Sequence, residues 1–465
     1  MAASGSPSRP SRFSRWGTPL LVAAVAGVFL FFFVDRIACL FPKPGKAFKS
    51  AISGCDNSYY YFWLRGAMVR HDVDLARDVA ECATMPDDLR SLVLSSERTP
   101  TGLLPNKYGI GWALGAVPWY LLGSGASRLL GLPLDGYGAA YQTALFLGQL
   151  AYALASLALA WRIALRFVSR ARALPGVLLL WLGSFLVYYQ ASATTMAHGF
   201  VFFCFALATW AALKIEETEE GRRPSPALWL LLGAGAGLAV VSRYQAVVLL
   251  LHPALVLVRH VRKNPMGPLL ALLPFALCVA LQMAAWKAVF GTWLMPSYGN
   301  ESFDWSHPHW GAVLFSPFHG LYYWNPLLLL GTAGLGWLAW RQASAAPRCW
   351  LLSCAALWIV NGAWSCWFFG ASFGLRAFEG AILPLMVGFG FLLDRAAERT
   401  PSGKKRWLLA LTLAVAVFLA VANVSLVYLA RKDLLSSERP VTHAEMGRLL
   451  IDFWGGGASR PGRTP

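Results

Sequence analysis

The chain has 465 residues, of which 57% are hydrophobic and only 14% charged; a soluble protein carries roughly 25% charge. Apolar runs of about 18 residues or more recur from end to end, which excludes a soluble globular domain and describes a polytopic, all-α membrane protein. The formal charge of +17 sits in short clusters between those runs, so it reports topology rather than a nucleic-acid partner.

At the N-terminus Arg9, Arg12 and Arg15 precede an apolar stretch over 16–34. Its length, and Asp35-Arg36 in place of a small-x-small cleavage site, favour an uncleaved first span over a signal peptide, with residues 1–15 cytoplasmic. Residues 35–137 then form an extracytoplasmic loop, whose stretch from Arg36 to Lys107 is the only long hydrophilic interruption before the tail. In it, Asp56-Asn57-Ser58 precede a helix-like run that puts Tyr59, Phe62, Trp63, Gly66 and Ala67 on one face. Asp is a favoured helix N-cap, so capping is the bland role of Asp56. Asp72 and Asp74 form a DxD able to hold a divalent metal, although such pairs in polar loops are mostly solvated charge. Cys55 and Cys82 share the loop and are able to close a ring of roughly 28 residues, typically worth about 3 kcal/mol; Cys39 makes the count there odd.

The apolar piece from Tyr108 to Gly125 allows two readings. A full crossing would leave Arg162, Arg166, Arg170 and Arg172 outside, against the charge bias, and Pro118 weakens a straight span. A juxtamembrane helix lets a span over 138–161 deliver those arginines to the cytoplasm, and this reading is adopted. Further spans follow over 174–189, 200–214, 227–241, 244–258, 266–290, 321–340, 349–368, 378–394 and 407–430, about eleven in all. Residues 138–430 thus form the bundle, and residues 431–465 a short extracytoplasmic tail. No period or inverted duplication is evident, and no glycine-rich loop ending in Lys-Ser/Thr supports nucleotide-driven transport.

Sorting by side leaves unusual groups on the outer turns. Arg243 and Arg376 are exceptions to the expected scarcity of cations there. A charge at mid-span costs about 2.5–3.5 kcal/mol on insertion scales; snorkelling near a helix end is the bland explanation, and pairing with an anion such as phosphate the functional one. His198, His307, His309 and His319 lie on the same side. His307-Pro308-His309 is an incomplete metal site without a further ligand. The aromatic density there fits an interfacial belt or a grip on a sugar ring or lipid, for which Tyr59, Tyr60, Tyr108, Tyr244 and Tyr322 are the candidates.

Four stretches together resemble the polytopic glycosyltransferases of the GT-C superfamily, which contains protein O-mannosyltransferases and aminoarabinose transferases. They are Asp56-Asn57-Ser58 with Tyr59 to Tyr61, Asn106 to Gly111 with Pro118, Phe315 to Leu321 ending in Asn325-Pro326, and Trp364 to Arg376 with Pro384. The resemblance implies a GT-C-like bundle with juxtamembrane helices in the first loop, and a polyprenyl-phosphate-linked sugar as donor. It also implies an acceptor that is a glycolipid, polysaccharide or protein, with inverting transfer at the extracytoplasmic surface. Asp56 would be the general base, and Arg376, Arg243 and Lys107, followed by His319 and His198, would bind the donor phosphate. The acidic pair often associated with the superfamily is here a single Asp followed by Asn57, so a divalent metal is possible but not required. A lipid-linked oligosaccharide polymerase or ligase, a transporter or flippase, and a non-catalytic scaffold remain alternatives. Only about 35 residues follow the last span, so transfer to Asn-x-Ser/Thr sequons by this chain alone is not expected. The Ala/Leu/Gly/Arg-rich composition, with no retrieval signal at the end, favours a bacterial inner membrane.

Overall fold

A computed structural model describes residues 12–41, 52, 55–82, 85–218, 222–295, 298–299, 301–398 and 403–456. The elements are helical: α1 Arg12–Leu40, α2 Cys55–Arg65, α3 Leu75–Glu81, α4 Asp87–Leu94, α5 Gly111–Leu129, α6 Ala139–Ala164, α7 Arg170–Leu182, α8 Ala197–Glu216 and α9 Pro226–Ser242. They continue as α10 Leu251–Val261, α11 Met266–Phe290, α12 Trp310–Phe315, α13 Leu321–Trp324, α14 Leu327–Arg341, α15 Ala345–Ala363, α16 Ile382–Glu398, α17 Gly403–Arg431 and α18 His443–Trp454. Extended pairing among the described residues is confined to Phe303 opposite Trp364.

Among the described residues, seven segments are long and apolar enough to cross a membrane: Gly17–Leu40, Ala139–Ala164, Ala197–Glu216, Tyr244–Val261, Met266–Phe290, Arg376–Ala397 and Leu409–Arg431. Each coincides with a span read from the sequence. Pro226–Ser242 and Leu327–Arg341 are apolar but shorter. The expected span over 174–189 is interrupted, because α7 stops at Gly183 and the chain re-forms as a π-helical turn, Tyr188–Ser192. The first helix runs to Leu40, beyond its expected end. Arg36 is therefore a buried helical residue, donating to the Ser192 carbonyl at 3.0 Å.

Helix α5 is not among the seven. It lies antiparallel on α6, with the Tyr152 hydroxyl donating to the Gly115 carbonyl at 2.8 Å and the Tyr120 and Tyr141 rings 4.9 Å apart. Its first turn sits under Tyr60, while the loop after it returns to α2, where the Asp135 carbonyl accepts from Arg65 at 2.6 Å.

The buried centre of the bundle is α16. A Cβ at Gly334 would overlap the Gly388 carbonyl, and one at Gly388 would overlap the Gly331 carbonyl, so α14 and α16 touch backbone to backbone. Small residues allow such approach where lipid supplies no hydrophobic drive between helices. At the other end of α16, the Asp394 carboxylate accepts from the Ser169 N–H at 2.9 Å and its hydroxyl at 2.6 Å.

The first loop is held by an ionic lattice that the sequence reading missed. Asp78, almost wholly buried, accepts from Arg65 at 2.8 Å and from Arg70 at 2.8 and 2.6 Å. Removing one partner of a buried set leaves uncompensated charge, at about 3–5 kcal/mol. Asp78→Ala is therefore expected to lose stability of that order in thermal unfolding of the solubilised protein; a loss under about 1 kcal/mol would mean the lattice is effectively solvated.

Candidate active site

The turn Asn106-Lys107-Tyr108 is built by its own side chains. Asn106 accepts from the Tyr108 N–H at 3.2 Å and donates to the Tyr59 carbonyl at 3.0 Å, and Trp63 donates to the Tyr108 carbonyl at 2.9 Å. The Ile110 N–H is capped by Gln282 of α11 at 2.9 Å. Gly109 has no room for a Cβ, which would overlap the Val241 carbonyl. This close approach aims the Tyr108 hydroxyl at Asp56, in the first turn of α2, and it donates to Oδ1.

The other carboxylate oxygen, Oδ2, receives Nη1 of Arg376 at 2.6 Å. Arg376 opens the 3-10 turn Arg376–Ala381 that leads into α16, following Gly374, whose φ of +63° lies in the left-handed region. A Cβ at Gly374 would stand 2.9 Å from Phe185, so glycine suits this position on two counts. Three residues on, buried Glu379 is 3.2 Å from Nε of Arg243 and 3.6 Å from Nδ1 of His198. Lys107 is 2.8 Å from Glu301, whose second oxygen accepts from the Trp364 indole at 3.1 Å.

Burial raises the carboxyl of Asp56, but Arg376, the Tyr108 hydroxyl, Lys107 and Arg243 outweigh it and hold the group below its ordinary value. Asp56 is therefore ionised at neutral pH. Burial, together with neighbouring Asp56, pushes the Tyr108 phenol well above its ordinary value, so it stays a donor. Carboxylate, phenol and cations thus meet in one water-poor recess, an arrangement typical of functional sites.

Most of the expected residues converge. Tyr59 and Tyr60 pack on Tyr108, with ring centroids 5.6 and 4.8 Å away. Tyr244 reaches the edge, 6.3 Å from Tyr298, which itself faces Tyr108. His198 lies beneath, on Glu379. His319 takes a structural position, its Nδ1 2.9 Å from the Phe368 carbonyl. Burial pushes it down to about 4, leaving a neutral ring rather than a cation. Tyr322 stands apart, its hydroxyl 2.9 Å from Thr332.

The weak metal candidates have other work. Asp72 pairs with Arg70 and Arg77, and Asp74 caps α3. His307 pairs with Asp304, and His309 packs on Trp367. No cluster of three His, Cys, Asp or Glu suited to a metal occurs among the described residues. The Cys55 side chain, and with it the possible Cys55–Cys82 disulfide, lies outside the described residues. Tyr298 belongs to the aromatic density noted on the outer turns, whereas Glu301 and Glu379 are not singled out by the sequence. A lone acid in an otherwise apolar segment was the available signal for Glu379.

A family model described as dolichyl-phosphate-mannose-protein mannosyltransferase matches residues 138–286, a window containing His198 and Arg243 but neither Asp56 nor Arg376. No curated protein matches. Among solved structures, the archaeal oligosaccharyltransferase AglB from Archaeoglobus fulgidus, in complex with an inhibitory peptide and a dolichol-phosphate, is similar at 11% identity and a TM-score of 0.52. The alignment covers 92% of this chain and 57% of that one. The apo form of the Archaeoglobus fulgidus oligosaccharyltransferase gives 11% identity and 0.50, over 89% and 56%. ArnT from Cupriavidus metallidurans bound to undecaprenyl phosphate gives 14% and 0.47, over 90% and 72%. This chain thus spans a little over half of the oligosaccharyltransferase it matches. The all-helical fold read from the sequence is borne out, and its arrangement is similar to that of the archaeal oligosaccharyltransferase.

Proposed function

We propose that this multi-pass membrane protein of the GT-C superfamily moves a sugar from a polyprenyl-phosphate donor to an acceptor hydroxyl on the face that carries Asp56, taken as extracytoplasmic. Supporting this is one observation above all: an ionised carboxylate, Asp56, paired with Arg376 and within the field of Lys107 and Arg243. The acceptor oxygen attacks the anomeric carbon while Asp56 takes its proton. The bond from that carbon to the phosphate oxygen breaks, its electron pair leaves with the lipid phosphate, and direct displacement inverts the configuration. Fixed cations beside the leaving group stabilise charge as it develops. Arg376 and Lys107 are assigned this role. Arg243, committed to Glu379, contributes through space.

The test uses purified protein in lipid nanodiscs with radiolabelled polyprenyl-phosphate sugars and a membrane extract as acceptor. Acceptor-dependent movement of label supports the reading. No turnover with any donor, alongside specific lipid binding, would favour a flippase or scaffold instead.

The pH dependence follows from Asp56. A carboxyl held below its ordinary value in the folded state contributes stability above the unfolded value, lost as pH falls through the folded one. Between about pH 5 and 8 that contribution is expected to stay constant and to fade only in stronger acid. The acid limb of kcat/KM, which reports the free enzyme, is likewise expected below about pH 4. A limb near neutrality in a pH–rate profile would contradict the site as described.

A further inference from the structure

We propose that the Asp56–Arg376 ion pair is a resting contact which the donor's phosphate takes apart, moving Arg376 onto the phosphate and freeing Oδ2 to accept the proton. The inference rests on the reading of the site given above. As it stands, each oxygen of the carboxylate is already engaged, Tyr108 donating to Oδ1 and Arg376, at 2.6 Å, to Oδ2, and a carboxylate paired with a guanidinium is the weaker base. Arg376 is itself only partly used. Its Nε is buried and has no hydrogen-bond partner among the described residues. A guanidinium with an idle, buried N–H is suited to the forked contact that a phosphate offers and a single carboxylate oxygen does not.

The neighbouring cations are placed differently. Arg243, whose Nε also lacks a hydrogen bond among the described residues, lies 3.2 Å from Glu379, and Lys107 reaches across to Glu301. Neither blocks an oxygen of Asp56, so their contacts need not break for the base to work. The groups facing Asp56 are Arg376 from the turn before α16, Tyr108 and Lys107 from the loop before α5, and Arg243 from the end of α9, with Tyr60 and Tyr298 as neutral phenols beyond. Exchanging carboxylate for phosphate keeps Arg376 paired throughout, and Asp56 keeps Tyr108. The carboxylate gives up its direct cation in the exchange and keeps the Tyr108 hydroxyl and the through-space attraction of Lys107 and Arg243, which raises its affinity for a proton. The base is then masked until a donor is seated, and the order of events is donor first, proton transfer second.

The experiment measures binding of undecaprenyl phosphate to nanodisc-embedded protein near neutral pH. It compares wild type, Asp56→Asn, Arg376→Gln and the double variant. If the carboxylate competes with phosphate for Arg376, Asp56→Asn tightens binding at least about tenfold, within the usual range of coupling between sites. In the Arg376→Gln background the same change tightens it by less than about threefold, the residue of simple charge repulsion. Unchanged or weaker binding by Asp56→Asn overturns the exchange. So does equal tightening in both backgrounds, which is repulsion alone. Absence of saturable binding by wild type and every variant overturns the donor-site reading itself, and the exchange with it. Thermal unfolding checks each variant, and Arg376→Lys replaces Arg376→Gln if the latter does not fold.

Discussion

Asp56→Asn is expected to reduce sugar transfer by about 10²–10⁴, the range that a positioned general base supplies. Asparagine keeps the shape and accepts from Tyr108 as the carboxylate does, so the loss isolates proton acceptance. Donor binding persists in this variant, so the defect falls on turnover rather than on capture of the lipid. Side-by-side single-turnover measurements with labelled donor separate the two. Equal turnover by wild type and Asp56→Asn would remove this carboxylate from the mechanism while leaving the fold untouched.

Removing the guanidinium is the second large effect. Arg376→Ala is expected to lower kcat by about 10²–10³, the loss seen when one preorganised donor to a developing anion is deleted. It also strips the partner from the half-buried carboxylate of Asp56. The variant therefore differs from Asp56→Asn in one respect: it weakens binding of the lipid phosphate as well as turnover. Arg376→Lys keeps the charge but loses the fork, and partial activity is expected. Full activity in Arg376→Ala, measured as kcat/KM, would show that another cation carries the leaving group.

Much of the architecture was legible because membrane-crossing helices declare themselves by length and composition. The interruption of α7 was not, because the apolar run continues past Gly183, where the helix stops and Leu327 of α14 leaves no room for a side chain. Helix α18 was read as tail, although Thr442 and Glu445 form the start of a helix, with the Thr442 hydroxyl accepting from the Glu445 N–H at 3.2 Å. At the site, Asp56 and Arg376 stood out as isolated charges, yet they lie 320 residues apart and their meeting was not readable from spacing. Tyr108 was expected to offer its ring to a ligand. The structure in addition turns its hydroxyl onto Asp56, an orientation that goes with the tight packing of Gly109 against Val241 of α9, where side-chain periodicity gives no hint.

The close seam between α14 and α16 has a bearing on selectivity. A helix in backbone contact along one flank, and clasped through Asp394 and Ser169 at its far end, behaves as a stiff post. Arg376 stands at its head, so the guanidinium moves only as far as its own side chain reaches. Under the proposed chemistry, a headgroup must come to that height to be held. Lipid-linked sugars would then be sorted by how deeply their phosphate settles, with the bundle itself serving as the depth gauge.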